Sequence, residues 1–233
     1  MFSKLVLLGI ACFGSLRGEA DYREVTRLSY DKTAVDYQGN SLKLKPEVKA
    51  KAFLSYVPTG SKILDLGCGP GKDAQFFIDS GYQVTGVDIS PQMISLARRL
   101  VPKGEFIVSD IESLSLNAQS FDAVWASASL LHVSKQAMPS VLKQLHEALR
   151  SGGIFYVSMK KGDGEELTPD ERYEGFEKFW NYVQENELAD LLIEQGFEIL
   201  EQNTHQKSSS HQTHPWISVI CKKPEESIYG KKD

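Results

Sequence analysis

The stretch Ile63-Leu64-Asp65-Leu66-Gly67-Cys68-Gly69-Pro70-Gly71-Lys72 decides the fold. A hydrophobic strand ends in an acid, three glycines then alternate with Cys68 and Pro70, and a helix is predicted to begin near Lys72. Glycine lets the backbone turn sharply and approach a ligand with no Cβ in the way. The next β-rich run, Gln83–Val87, ends in Asp88, where a carboxylate is placed to accept both hydroxyls of a nucleoside ribose. A glycine turn alone is a weak sign. Strand, turn, helix, strand and terminal acid together are a strong one.

Outward from this core, short β-rich runs alternate with stretches of helical period. The runs are Lys62–Leu66, Gln83–Val87, Glu105–Ser109, Phe121–Ala126 and Gly153–Met159, followed by Phe197–Glu201 and Trp216–Cys221. Between them, Met93, Ile94, Leu96, Ala97, Leu100 and Val101 share one helical face, and Met138, Val141, Leu142, Leu145 and Leu149 another. Ser90-Pro91 reads as an N-cap followed by proline at the first helical position. Pro46–Val57 reads as a further amphipathic helix. The pattern predicts an α/β protein: a doubly wound, mostly parallel seven-stranded sheet with helices on both faces. The last two strands are joined by the polar loop Asn203–His214 and so should close the sheet as an antiparallel hairpin. Lys160–Asn186 breaks the alternation with an acidic segment carrying Tyr173, Phe176, Phe179, Trp180 and Tyr182. It is expected to form a partial lid, the plainer reading being a helix packed on the sheet edge.

With 233 residues the chain has the length of one domain. Its 41% hydrophobic and 24% charged residues suit a globular protein. The net charge of −5 argues against non-specific nucleic-acid binding, which needs clustered Lys and Arg. Cys12, Cys68 and Cys221 are too few and too scattered for a disulfide framework or a zinc site. No apolar run reaches the ~20 residues of a membrane-spanning helix. Met1–Ala20 has the shape of a secretory signal, with Lys4 before the apolar run Leu5–Gly14 and small residues at Gly18 and Ala20. Residues 1–20 are read as a signal-like or disordered extension and 224–233 as a loose tail.

A dinucleotide needs Gly-x-Gly-x-x-Gly so that its pyrophosphate can sit on the helix N-terminus. Here the third glycine comes one residue early, and Asp65 would repel a phosphate while favouring an ammonium group. S-adenosylmethionine carries an ammonium, a sulfonium and no phosphate, so the strand-end acid selects it over NAD.

The sequence resembles a class I S-adenosylmethionine-dependent methyltransferase from roughly Tyr30 to Cys221. Ile63–Gly71 is similar to the family's first motif and Val84–Ser90 to its second. Val108-Ser109-Asp110-Ile111 resembles the block whose acid meets the adenine amino group. Phe121–Ala126 resembles the fourth strand, and Leu145–Ile154 the helix and Gly-Gly turn before the fifth. The resemblance implies a methyltransferase domain over residues 21–223, with 160–186 as its lid-like insertion. It also implies a cofactor site of Asp65, Gly67, Gly69, Gly71, Asp88, Ile89, Asp110 and Ile111, with Tyr37 or Tyr30 over the methionine end. Ile89 and Ile111 would sandwich the adenine.

After the fourth strand, Ala126–Val133 lacks the Asn/Asp-Pro-Pro-Tyr type element of nucleic-acid amine methylation, which points to a small-molecule acceptor. Methyl transfer from a sulfonium is chiefly a matter of positioning. His132, on the rim of the sheet, is the candidate general base, and Ser127 and Ser129 the candidate lining of the transfer site. His205, His211 and His214 have no metal-ligand spacing. The alternatives are a protein or RNA methyltransferase and a non-catalytic S-adenosylmethionine-binding module. A cytoplasmic location is expected because the donor is made there and Cys68 suits a reducing compartment. Export remains the alternative that residues 1–20 raise.

Overall fold

The computed structural model describes residues 21–43, 47–206 and 214–225. Residues 1–20, Pro46, His211 and the tail beyond Glu225 lie outside the described residues, and with them the signal-like segment. The elements run α1 (Tyr22–Ser41), α2 (Glu47–Leu54), β1 (Lys62–Leu66), α3 (Lys72–Asp79), β2 (Gln83–Asp88), α4 (Pro91–Leu100), β3 (Glu105–Val108) and β4 (Phe121–Ser127). There follow α5 (Met138–Ala148), β5 (Leu149–Lys160), β6 (Glu165–Asp170), β7 (Phe176–Asn181), α6 (Glu185–Glu194), β8 (Glu198–His205) and β9 (Trp216–Lys222).

Seven strands form one sheet in the order β3-β2-β1-β4-β5-β9-β8. The first five are parallel, and β9 runs antiparallel to both β5 and β8. The doubly wound sheet with its closing hairpin is as the alternation predicts. The chain order reverses between β1 and β4, and in such sheets the crevice at the carboxyl ends of those strands is where ligands bind. Both faces of the sheet are buried. One carries Leu64, Leu66, Val124 and Phe155 beneath α5 and α6, and the other Ile63, Val84, Trp125 and Tyr156 beneath α2, α3 and α4. Full burial on both faces explains why these strands read as continuous apolar runs.

Two regions depart from the sequence reading. The first is α1, a 20-residue helix where no apolar stripe is present. Its buried positions are Thr26, Ser29, Thr33, Ala34 and Ser41, small or hydroxyl-bearing residues that let it lie close to α4 and β7. The second is Lys160–Asn186, which before α6 begins at Glu185 forms no α-helix on the sheet edge, the plainer of its two readings. It contains an antiparallel ribbon, β6 paired with β7, with Leu167 opposite Phe179 and Glu166 opposite Trp180. The hairpin prediction also ends too early at its first strand, since β8 continues through the polar residues Gln202–His205. Among the described residues no helix is long and apolar enough to cross a membrane.

Candidate active site

The glycine loop leaves β1 at Leu66 and enters α3 at Lys72. Gly67 has φ +71°, and its amide donates to the Val87 carbonyl at 2.7 Å, which draws the loop across the end of β2. A Cβ there would stand 2.3 Å from the Ser129 Cβ, so the loop touches the turn after β4 as closely as a glycine permits. At Gly69, among the described residues, the atom within 4 Å of where a Cβ would be is Tyr37 Cε1, at 3.8 Å.

Asp88 ends β2 at the same crevice. Its Oδ2 accepts the Gly69 amide at 2.9 Å and its Oδ1 accepts the Ser90 amide at 2.9 Å. Burial lifts this carboxyl to about 6, against the pull of those two amides. Each oxygen keeps a lone pair for a further donor, which is what a pair of vicinal hydroxyls requires. Ser90 then caps α4 as predicted, accepting the Met93 amide at 3.1 Å.

The cleft encloses about 710 Å³ including its open mouth. It gathers Tyr37, Gly67, Gly69, Asp88, Ile89, Asp110, Ile111 and His132 from the predicted set, together with Tyr30, Ser127 and Ser129. Two predicted residues stand apart from its lining. Gly71, at φ +88°, opens α3 with its Cα turned to α4, where a Cβ would meet Ala97 at 3.1 Å. Asp65 is 2% exposed beneath the surface, and among the described residues its Oδ2 has no hydrogen-bond partner. Burial, with the carboxylates of Asp73 and Asp88 nearby, pushes its carboxyl well above the usual range.

Several lining residues were missed by the sequence reading. Arg23 and Thr26 come from α1, Met93 from α4, and Glu112 from the turn after β3. Arg23 donates to Asp110 Oδ2 at 3.0 Å, while Asp110 Oδ1 accepts the Glu112 amide at 3.0 Å. The acid expected to meet adenine is therefore steered by α1. No periodic signal marks these positions, because a long polar helix looks like a linker.

His132 sits in a short 3₁₀ turn, Leu130–His132. Its Nδ1 lies 2.6 Å from the Phe179 carbonyl and its Nε2 2.8 Å from Tyr30 Oη. Burial lowers its pKa to about 3. A neutral ring with both nitrogens engaged is a weak proton acceptor, which runs against its expected part as a general base. Among the described residues no group of His, Cys, Asp and Glu is placed to hold a metal ion. His205 Nε2 contacts Ser218 Oγ at 3.0 Å, and His214 packs on the Tyr182 ring at 4.4 Å.

S-adenosylmethionine fits the residues present. Among the described residues Asp65 Oδ2 and Ser129 Oγ are buried polar atoms without partners, and a carboxylate oxygen is the acceptor an ammonium group seeks.

Residues 63–153 match a family model described as a methyltransferase domain. The chain is 29% identical over 144 residues to a malonyl-[acyl-carrier protein] O-methyltransferase of Enterobacter lignolyticus, a match covering 60% of this chain and 55% of that protein. The chain thus spans about half the length of the curated relatives it matches. Among solved structures it is similar to an S-adenosylmethionine-dependent methyltransferase of Methanosarcina mazei (TM-score 0.68, 25% identity, 78% of this chain and 99% of that one). It also shares its fold with the 1,6-didemethyltoxoflavin-N1-methyltransferase of Burkholderia thailandensis, solved with 1,6-didemethyltoxoflavin and S-adenosylhomocysteine bound (TM-score 0.70, 22% identity, 88% and 89%).

Proposed function

We propose that this chain is a class I S-adenosylmethionine-dependent methyltransferase, a reading supported by its methyltransferase-domain match over residues 63–153, and that it transfers a methyl group from S-adenosylmethionine to a small-molecule acceptor. The observation that carries the reading is Asp88, whose two oxygens are each fixed by a backbone amide at the mouth of the glycine loop. Asp88 accepts the ribose hydroxyls. Ile89 and Ile111 hold the adenine from its two faces, and Asp110, oriented by Arg23, meets its edge. Asp65 and Tyr37 serve the methionine end, and Gly67 and Gly69 let the backbone approach. Gly71 contributes by seating α3 against α4.

When bound, S-adenosylmethionine supplies a methyl group already activated by its sulfonium. The protein's task is then to hold the acceptor ~3–3.5 Å from that carbon and in line with the leaving sulfur. Tyr30, Ser127 and Ser129 line the cleft and offer hydroxyls to orient the acceptor. His132 acts as a positioning residue that fixes the Tyr30 hydroxyl.

The β6–β7 ribbon, within residues 160–186, is the acceptor-side cover of a domain spanning residues 21–223. Its support is the Phe179 backbone, whose amide donates to Thr26 Oγ1 at 3.0 Å and whose carbonyl holds His132. No nucleic-acid acceptor is proposed, because the acidic charge and the Ala126–Val133 turn disfavour one. A cytoplasmic location is proposed from the supply of the donor.

Calorimetry with S-adenosylmethionine and with NADH tests the cofactor, and the first should bind while the second does not. A turnover screen that detects S-adenosylhomocysteine formation over small acids, phenols and amines tests the enzyme. Tight binding with no turnover across the screen would favour a non-catalytic binding module.

A further inference from the structure

A second cleft lies between the end of β5, the β6–β7 ribbon and the start of β9. It encloses about 960 Å³ including its mouth and shares no lining residue with the cofactor cleft. Three aromatic side chains, Trp180, Tyr182 and Trp216, give it flat apolar walls.

Its remaining feature is Lys160, at the last position of β5. The residue is only 8% exposed, yet among the described residues its ammonium has no hydrogen-bond or ion-pair partner. Its Nζ rests 3.2 Å above the centre of the Trp180 ring, which satisfies one side of the charge. Of the three acids lining the same cleft, Glu171 is solvent-exposed and the other two are committed elsewhere. Asp170 is held by Arg172 and Lys178 at 2.8 and 2.9 Å, and Glu166 accepts the Tyr182 hydroxyl at 2.6 Å. Burial lowers the Lys160 pKa to about 8, with Arg172 and Lys178 pushing the same way, so the ammonium is still mostly protonated at neutral pH. A cation–π contact leaves the three N–H donors of an ammonium without acceptors. An anion entering this cleft would supply them in a site already partly dry, where charge-assisted hydrogen bonds are strong.

We propose that this cleft is a second ligand site, which takes a small aryl carboxylate with its carboxylate on Lys160 and its ring among Trp180, Tyr182 and Trp216. The carboxylate satisfies the ammonium, and the planar body fills the space between the aromatic walls. The site is separate from the methyl-transfer cleft, although Trp180 also packs on His132 with ring centres 4.9 Å apart.

Titration of the full chain with benzoate, with benzamide as its neutral isostere, tests this by calorimetry and by tryptophan fluorescence. Benzoate should bind saturably and benzamide at least ~10-fold more weakly, a difference of about 1.4 kcal/mol. Lys160→Met should abolish that preference and Lys160→Arg retain it. Asp88→Asn should leave benzoate binding unchanged. No saturable benzoate binding, equal binding of benzamide, or unchanged affinity in a folded Lys160→Met variant would each overturn the proposal. Loss of benzoate binding in Asp88→Asn would move the ligand into the cofactor cleft and overturn it equally. The wild-type comparison of the two probes decides the matter even where a variant fails to fold.

Discussion

Tyr30 Oη lies 2.8 Å from His132 Nε2, and the Phe179 carbonyl 2.6 Å from Nδ1 determines which of them donates. A carbonyl only accepts, so Nδ1 carries the ring proton, Nε2 is bare, and the Tyr30 hydroxyl donates to it. The Lys178 ammonium lies 4.3 Å over the Tyr30 ring, but burial keeps the phenol protonated far above its ordinary range. Both members of the pair are neutral at physiological pH. Under the proposed function the pair would position an acceptor through the remaining Tyr30 lone pair and carry no charge to it.

Tyr30→Phe should lower kcat by about 3- to 10-fold, the worth of one neutral hydrogen bond, and leave the affinity for S-adenosylmethionine unchanged. The wild-type kcat profile from pH 6 to 8 should show no step attributable to His132, since its pKa lies near 3. Steady-state kinetics across that range checks both statements. A step near 6.5 that vanishes in His132→Asn would restore the imidazole as general base.

The same depressed pKa makes a stability prediction with a definite sign. An unfolded His132 takes up a proton near 6.5, and the folded one does not until about 3. Its contribution is complete above 6.5 and is lost as pH falls through that window. His132→Asn should remain folded and show a shallower loss of Tm between pH 6.5 and 4 than the wild type. Parallel thermal melts of the two proteins measure the difference directly.

Asp88 behaves in the opposite manner. Burial raises its folded pKa to about 6, and under the proposed ribose contact the ionised form is the one that would accept two hydroxyls. Cofactor affinity should fall as pH drops through 6, approaching tenfold per pH unit below it. Asp88→Asn should bind at least ~10-fold more weakly at pH 7.5 and lose this pH dependence. A variant that is folded yet binds as tightly as the wild type would remove the ribose assignment.

Asp170 and Lys178 form a buried pair within the ribbon, at 2.9 Å with side-chain exposures of 4% and 1%. Hydrogen bonds from Arg172 and Lys178 hold the Asp170 carboxyl well below its usual range despite its burial. Removing one partner strands the other charge, so Asp170→Ala should cost about 3–5 kcal/mol in denaturant unfolding. The double variant Asp170→Leu/Lys178→Met should recover most of that loss.

This pair also explains what the sequence concealed. The run Phe176-Glu177-Lys178-Phe179-Trp180-Asn181 buries its last four positions, so no two-residue alternation marks β7 as a strand. In α1 the face turned inward is made of Thr26, Ser29 and Thr33, and the two threonine hydroxyls bond locally, Thr26 to the Tyr22 carbonyl and Thr33 to the Ser29 carbonyl. A helix docked through hydroxyls carries no apolar period. The β1–glycine–β2 unit was legible for the opposite reason. Its backbone conformation demands glycine at fixed places, and Asp88 must stand at a strand end to reach the loop.

Gly67 places the sharpest demand of that kind, because two separable effects oppose any side chain there. Its φ of +71° is left-handed, and an added Cβ would lie 2.3 Å from the Ser129 Cβ. Left-handed backbone costs a non-glycine residue roughly 1–2 kcal/mol whatever the space, and overpacking adds about 1–3 kcal/mol where neighbours are fixed. Ser129 belongs to the turn that carries His132, whose amide donates to the Ser129 carbonyl at 3.0 Å, so it has little room to retreat. Gly67→Ala should therefore lose both amounts in stability and weaken cofactor binding by displacing the loop. Ser129→Gly, introduced into that variant, removes the overlapping atom and leaves the backbone strain. The double variant should regain the overpacking portion and remain below the wild type by the left-handed cost alone. Denaturant melts of the four proteins, completing a double-mutant cycle, separate the two contributions. Strict additivity of the two substitutions would show that the loop and the turn are not in contact.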